Sequence, residues 1–310
     1  MPDWSARRPR LALAMILIFF GVADAASAAS VDCGKGDKVG PAVAAASAGE
    51  HIVIRGTCRE SVTIPPNAYG LVLEGDGDAS IVAPDPRQAV ILVLGREIAI
   101  RRLRLSQGRN GINVLRGASA AVDGVTIEDA GQDGIPGSGL GMNIGQHAFA
   151  SVVNATIRNN RAAGILVHEN SGVRIGFVDV ATIVAGNRIA DNGRGIVIEE
   201  GAQARVVGTT ISGNKGFGIY VARGSHLEFA DNAIEGNGED GVHVVGASGA
   251  IVEIGDGAVR KANRTSPDKM NGGFGLACSL GGYVAGPLGT LTGRKGATDI
   301  SGNCSNGLVR

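Results

Sequence analysis

The feature that most constrains this chain is a repeat. The pattern glycine, apolar, any residue, apolar begins at Gly111 (GINV), Gly141 (GMNI), Gly164 (GILV), Gly195 (GIVI), Gly218 (GIYV) and Gly241 (GVHV), at separations of 30, 23, 31, 23 and 23 residues. Gly134-Ile135 falls 23 residues after Gly111, so the unit is 23 residues, with one insertion near 136–142 and another within 171–186. A fixed period of this size means that each unit buries its apolar face only against its neighbours, which is the logic of a solenoid.

The local pattern tells which kind of solenoid to expect. Apolar residues alternate in short runs (Ile196 and Ile198, Ile219 and Val221, Val242 and Val244), which is strand periodicity with one face buried. An earlier isoleucine, at Ile127, Ile157, Ile211 and Ile234, precedes the glycine by seven residues, and Ile189 by six. Between them Asn160, Asn214 and Asn237 stand four residues before their glycines and Asn192 three before, so coiling stacks them into one column. Such a column satisfies side-chain and backbone groups from coil to coil. A leucine-rich repeat has a similar period but needs regularly placed leucines and a helical segment, whereas isoleucine, valine and glycine hold those places here. The expected fold is therefore all-β: a single-stranded parallel β-helix with coils of about 23 residues.

Glycine is frequent, 50 of 310 residues, without a Gly-X-Y period, which fits many turns and excludes collagen. Residues 1–28 read as a secretory signal: Arg7, Arg8 and Arg10 precede the apolar run Leu11 to Val22, and small residues follow. That run is too short to span a bilayer, and no later run is longer, so a soluble exported protein without a membrane span, periplasmic or extracellular, is expected. Without the signal the chain keeps 26 basic and 27 acidic side chains, three Arg and two Asp having left the original 29 of each. This balance gives no reason to expect nucleic acid or an anionic surface as partner.

Residues 29–310 read as one β-helix domain, taken as a monomer: 29–64 as N-terminal cap and first coil, 258–274 as a surface loop, and 275–310 as the last coils. A small-residue stretch within 39–64 suits a short capping helix before strand-like Ile52 to Ile54 and Val62 to Ile64. The run 300–308 (ISGNCSNGL) echoes 211–219 (ISGNKGFGI), which predicts a last coil closing at the C-terminus with Cys304 just after its ladder asparagine. Four cysteines in an exported chain suggest two disulfides. The separations, 25 for Cys33 and Cys58 and 26 for Cys278 and Cys304, place each pair in adjacent coils and favour those pairings among three.

The chain resembles the right-handed parallel β-helix proteins of the pectin-lyase-like superfamily. The resemblance covers roughly 33–308 and rests on the 23-residue repeats and on the opening AAASAGEHIVIRGTCRESVTI followed by LVLEGDG. It implies a right-handed helix and a carbohydrate-facing sheet, but the superfamily includes lyases, hydrolases, esterases, epimerases and adhesins. The Asp-Pro-His cluster of alginate epimerases and the acidic pairs with Gly-His-Gly of polygalacturonases are absent, and GFVDV at 176–180 lacks the rest of the methylesterase motif.

If the residue after each glycine points inward, two outward columns follow. The first is Asn113, Asn143, Leu166, Val197, Tyr220, His243, and the second Leu115, Gly145, His168, Glu199, Ala222, Val245. His168, Glu199, Tyr220 and His243 are the candidate catalytic residues, and Asn113 and Asn143 candidates for holding sugar hydroxyls. Glu199, Glu200, Glu239 and Asp240 are the carboxylates available for glycoside hydrolysis. Against this stands the plainer reading of an exposed strand face with surface ion pairs. Glu128, Asp129 and Asp133 are acidic turn residues open to a calcium reading, with a solvated turn preferred. His147, His168, His226 and His243 fall in different coils and columns, so neither a transition-metal site nor any other cofactor is expected. The functional expectation is an exported protein that binds or presents to polysaccharide, with a polysaccharide lyase or related enzyme, or a structural role, as alternatives.

Overall fold

The computed structural model describes residues 29–177, 186–252 and 261–309. The expected signal at 1–28, most of the second insertion and the start of the expected loop at 258–274 lie outside them. The described chain winds through three parallel sheets of 12, 10 and 8 strands, visiting each once per coil. One coil runs Ile196–Ile198 in the ten-stranded sheet, Gln203–Val207 in the twelve-stranded sheet and Thr209–Ser212 in the eight-stranded sheet, and the next coil begins at Ile219–Val221. Every named strand pair is parallel and in register: Ile196 lies over Ile219 and Ile219 over Val242. This is the parallel β-helix that the repeat predicts, right-handed as the resemblance implies.

Inside the coils the alternating aliphatic residues form columns. Ile165, Ile196, Ile219 and Val242 are fully buried and follow one another along the axis. Each such side chain contributes about 1.5–3 kcal/mol relative to exposure, so the stack is held chiefly by this strip.

The glycine and asparagine of each repeat are coupled by space. A Cβ at Gly164 would lie 3.0 Å from the Asn192 amide nitrogen and 2.6 Å from Ile189; at Gly218 it would lie 2.8 Å from the Asn237 amide. Glycine is required because the next coil's glycine carbonyl, isoleucine methyl and asparagine amide together occupy the volume a side chain would take, the carbonyl standing 2.8 Å from the added Cβ at Gly164 and 2.5 Å at Gly218. Asn160, Asn192, Asn214 and Asn237 are buried, and each backbone N–H donates to the side-chain oxygen of the next, at 3.0 to 3.2 Å. The ladder continues to Asn271. A second column, Asn187, Asn232 and Asn263, stands at the corner between the twelve- and eight-stranded sheets.

The expected surface loop at 258–274 is therefore a loop only in part. Pro267 to Met270 are exposed, but Asn263 and Asn271 are fully buried in the two ladders, and Arg264 bridges Ala233 and Thr290 as an extra step of the eight-stranded sheet. The echo between 300–308 and 211–219 does not carry structural equivalence. Ile211 lies in the eight-stranded sheet, whereas Ile300 ends a strand of the ten-stranded sheet, and Asn303 is exposed with φ of 61°, outside the ladder.

The first turn is closed by the helix Val39–Ala45, which buries Val39 and Val43 against the stack. Glu60 in the first coil accepts from the Val39 and Gly40 amides at 2.8 and 2.9 Å, satisfying two donors that a helix start leaves open. His51–Arg55 and Val62–Ile64 are strands, as expected. Both disulfides form as paired from spacing, Cys33 with Cys58 (Cα atoms 5.2 Å apart) and Cys278 with Cys304 (6.0 Å). No helix among the described residues is long and apolar enough to cross a membrane.

Candidate functional site

The outward face of the ten-stranded sheet carries the first expected column in full. Asn113 pairs with Asn143, Asn143 with Leu166, Leu166 with Val197, Val197 with Tyr220 and Tyr220 with His243. The candidates do not form one cluster, however. They divide into two groups three coils apart along the face, about 14 Å at the usual strand spacing.

The first group lies in a groove of about 640 Å³ towards the N-terminal end, with Asn113, Asn143, Leu166 and His168 on its floor. Its sides are raised by two corner loops, Arg87 to Ala89 and the first insertion, through Gly137 and Leu140. The second insertion falls between Gly172–Ile175 in the twelve-stranded sheet and Asn187–Ala190 in the eight-stranded sheet, and none of its described residues lines this groove.

The groove's polar groups are oriented by one another. His168 Nε2 lies 2.9 Å from Asn143 Oδ1 and donates to it. The ring reaches that far because position 145 is glycine: a Cβ there would sit 2.6 Å from Nε2. Asn110, which the sequence reading passed over, donates to Asn113 Oδ1 at 3.0 Å and accepts from the Leu140 amide. It thereby ties the floor to the inserted wall and turns the Asn113 N–H groups outward. The imidazole's other side faces Glu200 and Glu169, at 3.7 and 3.9 Å. His168, Glu169 and Glu200 each bring one potential ligand atom within 4.8 Å of the others, a juxtaposition that column order in the sequence does not reveal. Arg223 competes for that cluster, donating to Glu200 at 2.8 Å.

Glu199 does not join His168. It faces Arg223 at 3.5 Å, because the strand ends at Ile198 and the chain turns away with Glu200 at φ of 60°. Glu128 is likewise spoken for: it is buried and ion-paired with both Arg104 and Arg158, which removes it from a calcium site with Asp129 and Asp133.

The second group centres on His243. Asp240 Oδ2 lies 2.7 Å from His243 Nδ1, and Asp240 Oδ1 accepts from the Phe274 amide at 2.7 Å, so the carboxylate is held at both oxygens. Burial raises the Asp240 pKa, but the His243 bond, the Phe274 amide and the charges of His243 and Lys295 together lower it by more, and it stays ionised. The ionised Asp240 carboxylate accepts from Nδ1, and Nε2 is the ring nitrogen outside the pair. Tyr220 stacks beside the ring, with centroids 5.8 Å apart, and Phe217 packs on both at 5.2 and 4.8 Å. The Arg194 guanidinium lies over the Tyr220 ring at 5.7 Å. The sequence offered Asp240 only as a carboxylate for hydrolysis. Its spacing of three residues before His243 was the available signal for a pair.

Comparison with known proteins agrees with the geometry. No curated protein matches the chain. Among solved structures it is similar to the crystal structure of pectate lyase Pel9A, at 13% identity over 87% of this chain and 72% of that one, with a TM-score of 0.55, a likeness of fold. The family model described as right handed beta helix region matches residues 89–256, more than half of the chain and the part containing both groups. The chain belongs to the right-handed β-helix family.

Proposed function

We propose that this is an exported protein that binds a polysaccharide strand along the outward face of the ten-stranded sheet. The observation that carries the reading is the groove over Asn113, Asn143 and His168, an open trough floored by amide and imidazole groups that suit rows of sugar hydroxyls. The aromatic ledge of Phe217 and Tyr220 further along the same face extends the surface on which a sugar ring can lie. The fold shared with a pectate lyase supports the same class of ligand. Affinity electrophoresis or calorimetry against a panel of soluble polysaccharides tests it. Binding to at least one, weakened in Asn113→Ala and Asn143→Ala proteins of unchanged melting temperature, is expected. Uniform failure across the panel refutes it.

A second reading is favoured by one observation, the Asp240–His243 pair beside Tyr220. In it His243 Nε2 is a general base on a bound sugar, and Asp240 orients the ring and stabilises the imidazolium that proton uptake creates. Absorbance of unsaturated ends and release of reducing ends separate lyase from hydrolase action. A His243→Ala protein with full turnover removes the reading.

A further inference from the structure

We propose that His168, Glu169 and Glu200 form a binding site for a first-row divalent transition-metal ion, of the zinc or manganese kind, at the edge of the groove. This site goes beyond the polysaccharide reading and does not depend on it.

The histidines lie in different coils and columns, which rules out a site built from several imidazoles. The fold assembles another combination, one imidazole and two carboxylates. Glu169 and Glu200 hold the same corner, after the ten-stranded sheet, in successive coils: the His147 amide donates to Glu169 O at 3.1 Å and the Asn170 amide to Glu200 O at 3.0 Å. Both residues have left-handed backbone, with φ of 51° and 60°, so one turn geometry presents both carboxylates beside the His168 ring. His168 Nδ1 stands 3.9 Å from Glu169 Oε2 and 3.7 Å from Glu200 Oε2. Neither distance is a hydrogen bond, so the imidazole is committed to neither acid.

The surroundings point to a cation between them. Glu169 Oε2 is shielded from solvent and finds no hydrogen-bond partner among the described residues. A charged acceptor left in that state is costly unless something positive completes it. On its other side the ring is oriented as in a metal-binding histidine: Nε2 donates to Asn143 Oδ1, which in the neutral imidazole puts the lone pair on Nδ1, the atom facing the acids. Three carboxylates, those of Glu169, Glu199 and Glu200, gather here against one guanidinium. Arg223 donates to Glu200 Oε1 at 2.8 Å and faces Glu199 Oε2 at 3.5 Å, which leaves Glu200 Oε2 and the whole Glu169 carboxylate outside its reach. Two negative charges remain uncompensated, the charge of one divalent ion.

The donor set selects the kind of ion. A tetrahedral ion with bonds of about 2.0 to 2.1 Å keeps its ligand atoms roughly 3.4 Å apart, so the two partly exposed glutamates need close only slightly on Nδ1. Calcium prefers more ligands, all of them oxygen, whereas one imidazole nitrogen with two carboxylates suits zinc or manganese. Three protein ligands leave at least one coordination position open, next to the groove that His168 lines.

The full chain, carrying no histidine tag, is freed of metal with a chelator and titrated with Zn²⁺ and Mn²⁺ against a chromophoric competitor, with Ca²⁺ in a parallel titration. Binding of one Zn²⁺ or Mn²⁺ per chain, clearly tighter than Ca²⁺, is expected. His168→Ala and Glu169→Gln should each weaken it more than about tenfold, and Asn143→Ala, which frees the ring, about tenfold. His226→Ala, on the twelve-stranded sheet, should keep full affinity. Failure of both Zn²⁺ and Mn²⁺ to bind overturns the site, as does binding that His168→Ala and Glu169→Gln leave unchanged. Ca²⁺ binding as tight as that of Zn²⁺ and Mn²⁺ overturns the part given to the imidazole. Should His168→Ala not fold, Glu169→Gln, which keeps the shape of the side chain, decides alone.

Discussion

The asparagine corner and the outward face of the ten-stranded sheet are built on the same coils and obey opposite rules. At the corner five successive coils, from Asn160 to Asn271, repeat the same residue, and each side chain is satisfied by its neighbours: Asn214 accepts from the backbone and side-chain amides of Asn192 and donates to Ile189 O and Asn237 Oδ1. On the face the column changes at each step, from Asn143 to Leu166, Val197, Tyr220 and His243. Repetition serves stability, because a buried polar group must find its partner inside the protein. Variation is allowed on the face, where water can satisfy what a neighbour does not, and that is the surface on which we propose a ligand is bound. The comparison predicts that substitutions at the corner move stability and that those on the face move ligand binding.

The sharpest break is Asn214→Ala. It strands two buried donors on Asn192 and leaves Ile189 O and the Asn237 side-chain oxygen each without one partner, and orphaned buried groups cost about 1–3 kcal/mol each without adding fully. A loss of about 4 kcal/mol in urea-measured stability is expected. A loss below about 1 kcal/mol would show that the ladder is ornamental and end the comparison. Gly195→Ala tests the same corner from the other side. The added methyl would stand 2.2 Å from Gly218 O and 3.1 Å from the Asn214 amide, and since the first of these is backbone it cannot swing aside. About 2 kcal/mol is expected, in the range of overpacked interiors.

These two residues also show how much was legible in the sequence. Glycine and asparagine announce themselves because, along the ladder, the next coil's carbonyl, isoleucine and asparagine amide leave no room for a Cβ at the glycine, and a constraint that recurs at a fixed interval is visible as a repeat. The second ladder was missed because Thr209 takes the step between Asn187 and Asn232, and the step from Asn232 to Asn263 is longer than one repeat. The last coil was misplaced because ISGN is equally good turn chemistry at two different corners, and only strand pairing tells which one it makes. Of the face, the column order was readable, since register follows from the period. What was not readable is which loops rise beside it. The groove joins Arg87, Arg109, Asn143 and His168 from successive coils, and a neutral composition conceals cations gathered on one rim. The separation of His168 from His243, and the turning of Glu199 to Arg223, depend on side-chain directions that a column of letters does not hold.

On the face, Gly145→Ala sharpens the comparison because it is again a glycine with a neighbour in its Cβ space, but here the neighbour is the tip of a side chain. The methyl would meet His168 Nε2 at 2.6 Å, and the imidazole can rotate away into the groove. Stability should change by less than about 0.5 kcal/mol, while loss of the hydrogen bond to Asn143 removes the ring's orientation and weakens polysaccharide binding about fivefold, the equivalent of one net hydrogen bond of about 1 kcal/mol. A large fall in melting temperature would place this glycine with those of the corner instead.

The smallest effect is expected where the two rules meet, at Asp240, which belongs to the face through His243 and to the interior through the Phe274 amide. Its carboxyl titrates below the ordinary aspartate value near 3.8, because burial, which raises it, is outweighed by the His243 bond, the Phe274 donor and the nearby Lys295 charge. The unfolded chain therefore takes up the Asp240 proton at a higher pH than the folded one. The stabilisation from this group is complete above the unfolded value and is lost as pH falls through it to the lower folded value. In Asp240→Asn that contribution is gone, so the stability of the variant should fall less steeply than wild type in that acid range. Above it the variant should be modestly less stable, since an amide keeps one acceptor for Phe274 or His243 but not both. Unfolding midpoints across the acid limb give the measurement. Parallel curves for the two proteins would mean that the carboxylate is no better held in the folded chain than in the unfolded one, and the ordered Asp240–His243 pair on which the catalytic reading depends would go with it.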